Sequence, residues 1–199
     1  MKISIIIPIY FCELSLYKII DKCLSSLSKY YPQIEKVLVD DGSPLDCASW
    51  PITVRNKTNL GYSGAVNEGI KKATGKILII ANDDLEFKQG DLDRFLSLNP
   101  HQLGIYSPKT TDEGEGDRFG SLWGMSRHTY NKIGELRSFG KGYFEDIDYY
   151  QRAKLLNIPI IKWHDIIVEH KGKATFNLLS DDHYEIAKKK YKELYGRID

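Results

Sequence analysis

Three groups of acidic residues and one histidine are the parts of this sequence best able to do chemistry. Asp40-Asp41 ends the run Lys36-Val-Leu-Val, and Asp83-Asp84 follows Lys76-Ile-Leu-Ile-Ile-Ala81-Asn82. Glu145-Asp146-Ile-Asp148 opens a helical stretch after Phe139-Gly-Lys-Gly-Tyr-Phe144, and His170 follows Val168-Glu169. Crowded carboxylates repel one another, so two acidic pairs on one edge of a fold require a counter-charge. A divalent cation held by one or two carboxylates together with phosphate oxygens supplies it. A carboxylate at such an edge can also accept a hydrogen bond from a pyrimidine N3–H, or take a proton from a hydroxyl. Each group has a structural reading beside the chemical one. Asp40-Asp41-Gly42-Ser43 can be an Asx turn, Asn82-Asp83-Asp84 an acidic strand end, Glu145-Asp146 a first turn favoured by the helix dipole, and His170 a packed histidine.

Glycine patterns that bind phosphate by backbone contact are tested next, and they fail. Gly64-Ala-Val-Asn-Glu-Gly69 has phosphate-loop spacing, but Ile70 replaces the lysine and no Ser or Thr follows. Gly114 and Gly116 have their third glycine, Gly120, one residue too late for a dinucleotide fingerprint, and no strand precedes them. A Walker-type NTPase and a Rossmann dehydrogenase are therefore disfavoured.

The elements that must position these acids can be read from periodicity. Ile3–Ile7, Lys36–Asp40 and Lys76–Ala81 are short β-branched runs of the kind buried on both faces, with Ile52–Arg55 a further short strand. Between them, residues 13–30 place Leu14, Tyr17, Ile20, Leu24 and Leu27 at helical spacing, and Tyr62 to Ala73 form a second helix ended by Thr74-Gly75. Alternating strands and helices with short connections imply a mostly parallel sheet covered by helices. Ligands of such sheets sit beyond the carboxyl ends of the strands, where Asp40-Asp41 and Asp83-Asp84 stand. Downstream, the expectations are a helix at 91–98, a strand at 103–107 and a polar, mobile stretch from Thr110 to Gly116. A helix from Glu145 to Leu156, strands at Ile158–Trp163 and Ile166–Glu169, and a basic helix at 181–195 follow.

Taken in order, Ile7-Pro8-Ile9-Tyr10, Val39-Asp40-Asp41-Gly42-Ser43, Asn59 to Gly69, Ala81-Asn82-Asp83-Asp84, Glu145-Asp146 with Asp148 and Arg152, and His170 closely resemble glycosyltransferase family 2 from about residue 2 to about residue 175. The resemblance implies a GT-A fold: an α/β, Rossmann-like, mostly parallel central sheet flanked by helices in one domain spanning 1–199. Residues 1–100 would form the nucleotide-sugar-binding half, 101–180 the acceptor and catalytic half, and 181–199 a C-terminal helix. It implies that Asp41 contacts the base, favouring uracil or thymine, and that Pro8, Tyr10, Gly61, Asn67 and Asp83 line the nucleotide-sugar site. Asp84 becomes the direct ligand of Mn²⁺ or Mg²⁺, His170 a secondary ligand, and Asp146, beside Glu145, the general base of an inverting transfer from a UDP- or dTDP-sugar. Asn82 departs from the first Asp of the family's metal motif and is a weaker ligand. Trp123 and Tyr143 are candidates either for stacking on the acceptor or for the core. The stretch at 110–118 is expected to close over the donor and exclude water.

Composition fits this reading. At 199 residues the chain holds one domain at roughly 150 residues each, and 28 basic against 27 acidic residues leave no basic field for nucleic acid. Three cysteines form no CxxC pair and suit a reduced, cytoplasmic setting, with or without peripheral attachment to a membrane surface. The apolar start, Ile3–Ile9, is too short to span a bilayer, so no transmembrane segment is expected. The expected partners are a nucleoside-diphosphate sugar and an acceptor that is a glycan, a lipid-linked molecule or a protein. Two other readings stay open. A nucleotidyltransferase would need a Gly-rich basic loop where Pro8 to Glu13 stands, and a catalytically weak nucleotide-sugar-binding domain is suggested only by Asn82.

Overall fold

The computed structural model of the chain describes residues 2–112, 120–172 and 182–196. Its centre is an eight-stranded sheet built from β1 (Ile3–Ile9), β2 (Glu35–Asp40), β3 (Val54–Arg55), β4 (Ile77–Ala81), β5 (Leu85–Glu86), β6 (Ile105–Thr110), β7 (Leu122–Ser126) and β8 (Ile160–His170). The strand order is β3-β2-β1-β4-β7-β6-β8-β5. β3, β2, β1 and β4 run parallel, as do β6 and β8, while β7 and β5 run antiparallel to their neighbours.

The alternation of β1 decides which helix covers which face. Ile3, Ile5, Ile7 and Ile9 join the cluster under α1 (Tyr17–Tyr30), with Ile20, Leu24 and Leu27. Ile6 points to the opposite cluster with Ala65, Val66 and Ile70 of α2 (Gly61–Lys72). A β-carbon at Gly69 would stand 2.4 Å from Ile6 Cγ2, so α2 lies close against the sheet. The remaining helices are α3 (Asp93–Leu96), α4 (Arg127–Ile133), α5 (Glu145–Leu155) and α6 (Asp182–Tyr195).

Several expectations are corrected. The helix at 91–98 is confined to α3, and the helix expected from residue 13 begins with a 3-10 turn that leaves Leu14 exposed. The two strands expected at 158–169 are one, β8, because a register shift opposite Pro108/Lys109 breaks its alternation without ending it. β7 and α4 were not expected at all. Gly124 interrupts the apolar run of β7, yet a β-carbon there would meet Phe95 Cε1 at 2.7 Å and the Leu78 carbonyl at 2.9 Å. Of the stretch expected to be mobile, Thr110 ends β6 and residues 113–116 lie outside the described residues.

Candidate functional site

The carboxyl ends of β1, β2 and β4 open into one cavity, walled by Pro8, Ile9 and Tyr10, by Asp41, by Asn82, Asp83 and Asp84, by Asn59, Gly61, Tyr62 and Ala65 around the start of α2, and by Lys141. Its position is the one expected for ligands of a parallel sheet.

The Asp40-Asp41 pair divides its work. Asp40 accepts from Ser43 N at 2.9 Å and pairs with Arg55 Nε at 3.0 Å, closing the turn. Asp41 reaches the cavity, and its Oδ1 accepts from Asn56 Nδ2 at 2.8 Å and Leu60 N at 2.9 Å, which holds the loop before α2. Burial pushes the Asp41 carboxyl above its ordinary range despite these donors. At Gly61 φ is +78°, and a β-carbon would stand 2.7 Å from the Gly140 carbonyl oxygen. Only glycine lets the 140–141 backbone come down onto the start of α2 and bring Lys141 to the cavity.

At the end of β4 the geometry depends on a two-residue strand. β5 pairs with β8 in a register that sets Leu85 opposite His170. His170 Nε2 thereby meets Asp84 Oδ1 at 2.7 Å, and His170 Nδ1 lies 2.7 Å from Asp112 Oδ1 and 3.2 Å from Ser121 Oγ. Burial opposes charge on the imidazole, but the flanking Asp84 and Asp112 carboxylates outweigh it and raise its pKa. Asp83 is pushed up to about 8, first by burial and then by Asp84 beside it. Asn82 Oδ1 is buried with no protein hydrogen-bond partner.

The acids of the Glu145-Asp146-Ile147-Asp148 group stand at the first turn of α5. Glu145 is 4% exposed, and its Oε1 has no protein hydrogen-bond partner. Burial, with Asp146 alongside, lifts its carboxyl to about 8. Asp146 Oδ2 lies 3.8 Å from where a β-carbon on Gly120 would stand. Asp146 is not among the residues lining the cavity, whereas Tyr62 is. Burial raises the Tyr62 hydroxyl pKa strongly, and the charges of Glu145, Asp146 and Asp83 all add to it. Asp148 is wholly buried and takes Arg152 Nε at 2.8 Å, so this pair orients α5.

The model for glycosyl transferase family 2 matches residues 4–117, more than half of the chain. The chain belongs to glycosyl transferase family 2. It is similar to a Mycobacterium tuberculosis protein named among the glycosyltransferases, at 24% identity over 92% of this chain and 48% of that protein. It is also similar to the undecaprenyl-phosphate 4-deoxy-4-formamido-L-arabinose transferase of Proteus mirabilis, at 26% identity over 48% of this chain and 33% of that protein. The chain thus spans about half the length, or less, of these relatives. Two solved structures share its fold, the GT-A fold. They are S. aureus TarS 1-349 in complex with UDP-GlcNAc (TM-score 0.70, 19% identity, 94% of this chain and 64% of that one) and the mannosyltransferase PcManGT from Pyrobaculum calidifontis in complex with GDP-Man and Mn²⁺ (TM-score 0.67, 17% identity, 96% and 64%).

Within this family 2 domain, Pro8, Tyr10, Asp41, Gly61, Asp83 and Asp84 converge on one cavity, and His170 joins Asp84. Asn67 does not line it. Its side chain is buried behind α2, donating to the Leu136 carbonyl at 2.9 Å and accepting from Leu136 N at 3.0 Å. Trp123 belongs to the core, its ring 5.2 Å from that of Tyr149, and Tyr143 packs edge-on against Tyr184. Sequence reasoning missed Tyr62, Lys141 and Asp112. Lys141 could have been found from its place between Gly140 and Gly142 in the acceptor-side segment. Asp112 carries no local signal, because its partner is 58 positions away in sequence (170 minus 112).

Proposed function

We propose that this chain moves a sugar from a UDP- or dTDP-sugar to an acceptor hydroxyl with inversion at the anomeric carbon. The observation that carries this reading is the single cavity at the carboxyl ends of β1, β2 and β4, on which Pro8, Tyr10, Asp41, Gly61, Asp83 and Asp84 converge. Asp41 accepts from the N3–H of the base, and Pro8, Tyr10, Gly61 and Asp83 line the path of the nucleotide and sugar. Asp146 takes the acceptor hydroxyl proton as its oxygen attacks the anomeric carbon, and the bond to the diphosphate oxygen breaks in the same displacement.

The chain's own residues fit a divalent cation shared with the substrate. Among the described residues no three His, Cys, Asp or Glu converge as a self-sufficient metal cage. The orphaned Asn82 Oδ1, the half-buried Asp83 and the buried Asp84 instead suit a site completed by phosphate oxygens. Asp84 is its ligand, with His170 beside it, and Mn²⁺ or Mg²⁺ bound there supplies charge neutralisation for the leaving diphosphate. The Proteus relative is named for transfer to undecaprenyl phosphate, which supports a lipid-linked acceptor delivered at a membrane surface. No helix among the described residues is long and apolar enough to cross a membrane.

The test is UDP or dTDP release from a panel of nucleotide sugars with Mn²⁺, with and without Asp146→Asn. Loss of a general base lowers turnover about 10²- to 10⁴-fold, while UDP affinity stays within about threefold. Near-normal turnover by the variant overturns the assignment of Asp146.

A further inference from the structure

We propose that α6 is a positioning device for the first turn of α5, and that Tyr191 and Tyr195 set where Asp146 stands. This rests on Asp146 being the base.

Phe144 precedes α5 with φ +72° and gives no side-chain cap to the helix. The left-handed region is sparsely populated by bulky residues, which stay there only when their surroundings hold them. What holds Phe144 is α6. Its buried ring stacks on Tyr191, with centroids 5.1 Å apart and planes 29° from parallel, and it packs against Tyr184 at 5.6 Å. Tyr191 also meets Phe139, at the other end of the same turn, at 5.5 Å. Ala187 Cβ lies 3.6 Å from where a β-carbon on Gly140 would stand. Residues 184, 187 and 191 recur at helical spacing, so one face of α6 meets both ends of the 139–144 turn.

A second point of attachment lies further along α5. The Tyr195 hydroxyl donates to Asp148 Oδ1 at 2.6 Å, while Arg152 and Arg137 hold the same carboxylate. Asp148 is two residues past Asp146. A ring contact just before the helix and a hydrogen bond in its first turn together fix the rotation and axial position of the residues between them, Glu145 and Asp146. No residue of α6 is among those lining the donor cavity. Tyr195 holds Asp148 of α5 and not the turn that brings Lys141 to the cavity, so loosening this attachment should slow transfer without weakening donor binding, and about 1 Å of misplacement is enough to cost about 10²-fold in rate.

Four variants of the full chain decide this: Tyr195→Phe, Tyr191→Ala, Tyr191→Phe and Asp146→Asn. Each is assayed for kcat by nucleotide release, for UDP affinity by calorimetry and for folding by circular dichroism. Tyr195→Phe should lower kcat about tenfold and Tyr191→Ala about a hundredfold, with Tyr191→Phe restoring most of it because the ring remains. UDP affinity should stay within about threefold in Tyr195→Phe. Should Tyr191→Ala fail to fold, Tyr195→Phe, which removes one hydroxyl, decides alone. Wild-type kcat in Tyr195→Phe beside a dead Asp146→Asn overturns the positioning role and leaves the base assignment standing. Parallel loss of kcat and UDP affinity in Tyr195→Phe also overturns it, as general loosening. An active Asp146→Asn instead removes the base assignment on which the proposal rests.

Discussion

Asn67→Ala separates a residue that binds the donor from one that ties the fold together. The Asn67 amide makes two hydrogen bonds to one backbone unit, donating to the Leu136 carbonyl at 2.9 Å and accepting from Leu136 N at 3.0 Å. Leu136 is 4% exposed, so water cannot replace both partners. Truncation leaves a buried donor and a buried acceptor unsatisfied, at about 1–3 kcal/mol each, and a total near 3 kcal/mol is expected. In a chain of this size 1 kcal/mol moves the midpoint by about 2–4 °C, so Tm should fall by about 6–12 °C. Urea denaturation measures the loss directly, and calorimetry with UDP and Mn²⁺ should give an affinity within about threefold of wild type. A variant that keeps its stability within about 0.5 kcal/mol while losing donor affinity would refute the reasoning and return Asn67 to the donor site.

Two further outcomes follow from the site. The Glu145 carboxyl sits at about 8 in the folded chain against an ordinary value of 4.5. The fold therefore binds this proton more tightly than the unfolded chain does, and its stability falls by about 1.4 kcal/mol per pH unit between those values. Glu145→Gln removes that slope, so the stability difference between wild type and variant, measured by urea denaturation from about pH 5 to about pH 7, should change steadily in favour of the variant; a flat difference refutes it. The second outcome concerns UDP binding, which should weaken at least about tenfold when Mn²⁺ and Mg²⁺ are chelated, and CDP, which lacks the N3–H, should bind more weakly than UDP. Equal affinity in chelator refutes the role given to Asp84, and equal affinity for CDP refutes that given to Asp41.

The sequence made the first half of the fold legible because β1, β2 and β4 are apolar runs whose polar ends coincide with the sheet edge. Asp41, Asp83 and Asp84 were legible for the same reason. β7 was hidden because Gly124 breaks an otherwise apolar run, and its cause, Phe95 and the Leu78 carbonyl, is a tertiary contact. β8 looked like two strands because a bulge imitates a break. His170 was legible as a candidate, but its seat between Asp84 and Asp112 depends on the pairing of Leu85 with His170, which no local pattern specifies. Asn67 was misread because an Asn among small residues at a helix start resembles a ligand contact, and only a bond across 69 positions shows otherwise.

The acidic groups also show how a nearly neutral chain builds a local negative edge without losing its fold. Burying a carboxylate is costly unless a partner compensates, and the partner reveals the job. Asp40 meets Arg55, and Asp148 meets Arg152 and Arg137; these guanidiniums cannot give up their charge. Such pairs close a turn and orient a helix, and a permanent counter-charge there leaves no place for a cation. Asp84 meets an imidazole instead, a partner whose charge is exchangeable. Asp83 and Glu145 are lifted to about 8 by burial, so the fold bears the cost of holding both carboxyls without a permanent counter-charge. In the two groups that hold an arginine-paired acid, Asp40-Asp41 and Glu145-Asp146-Asp148, that acid is therefore structural, and its neighbours are the ones to assign to chemistry.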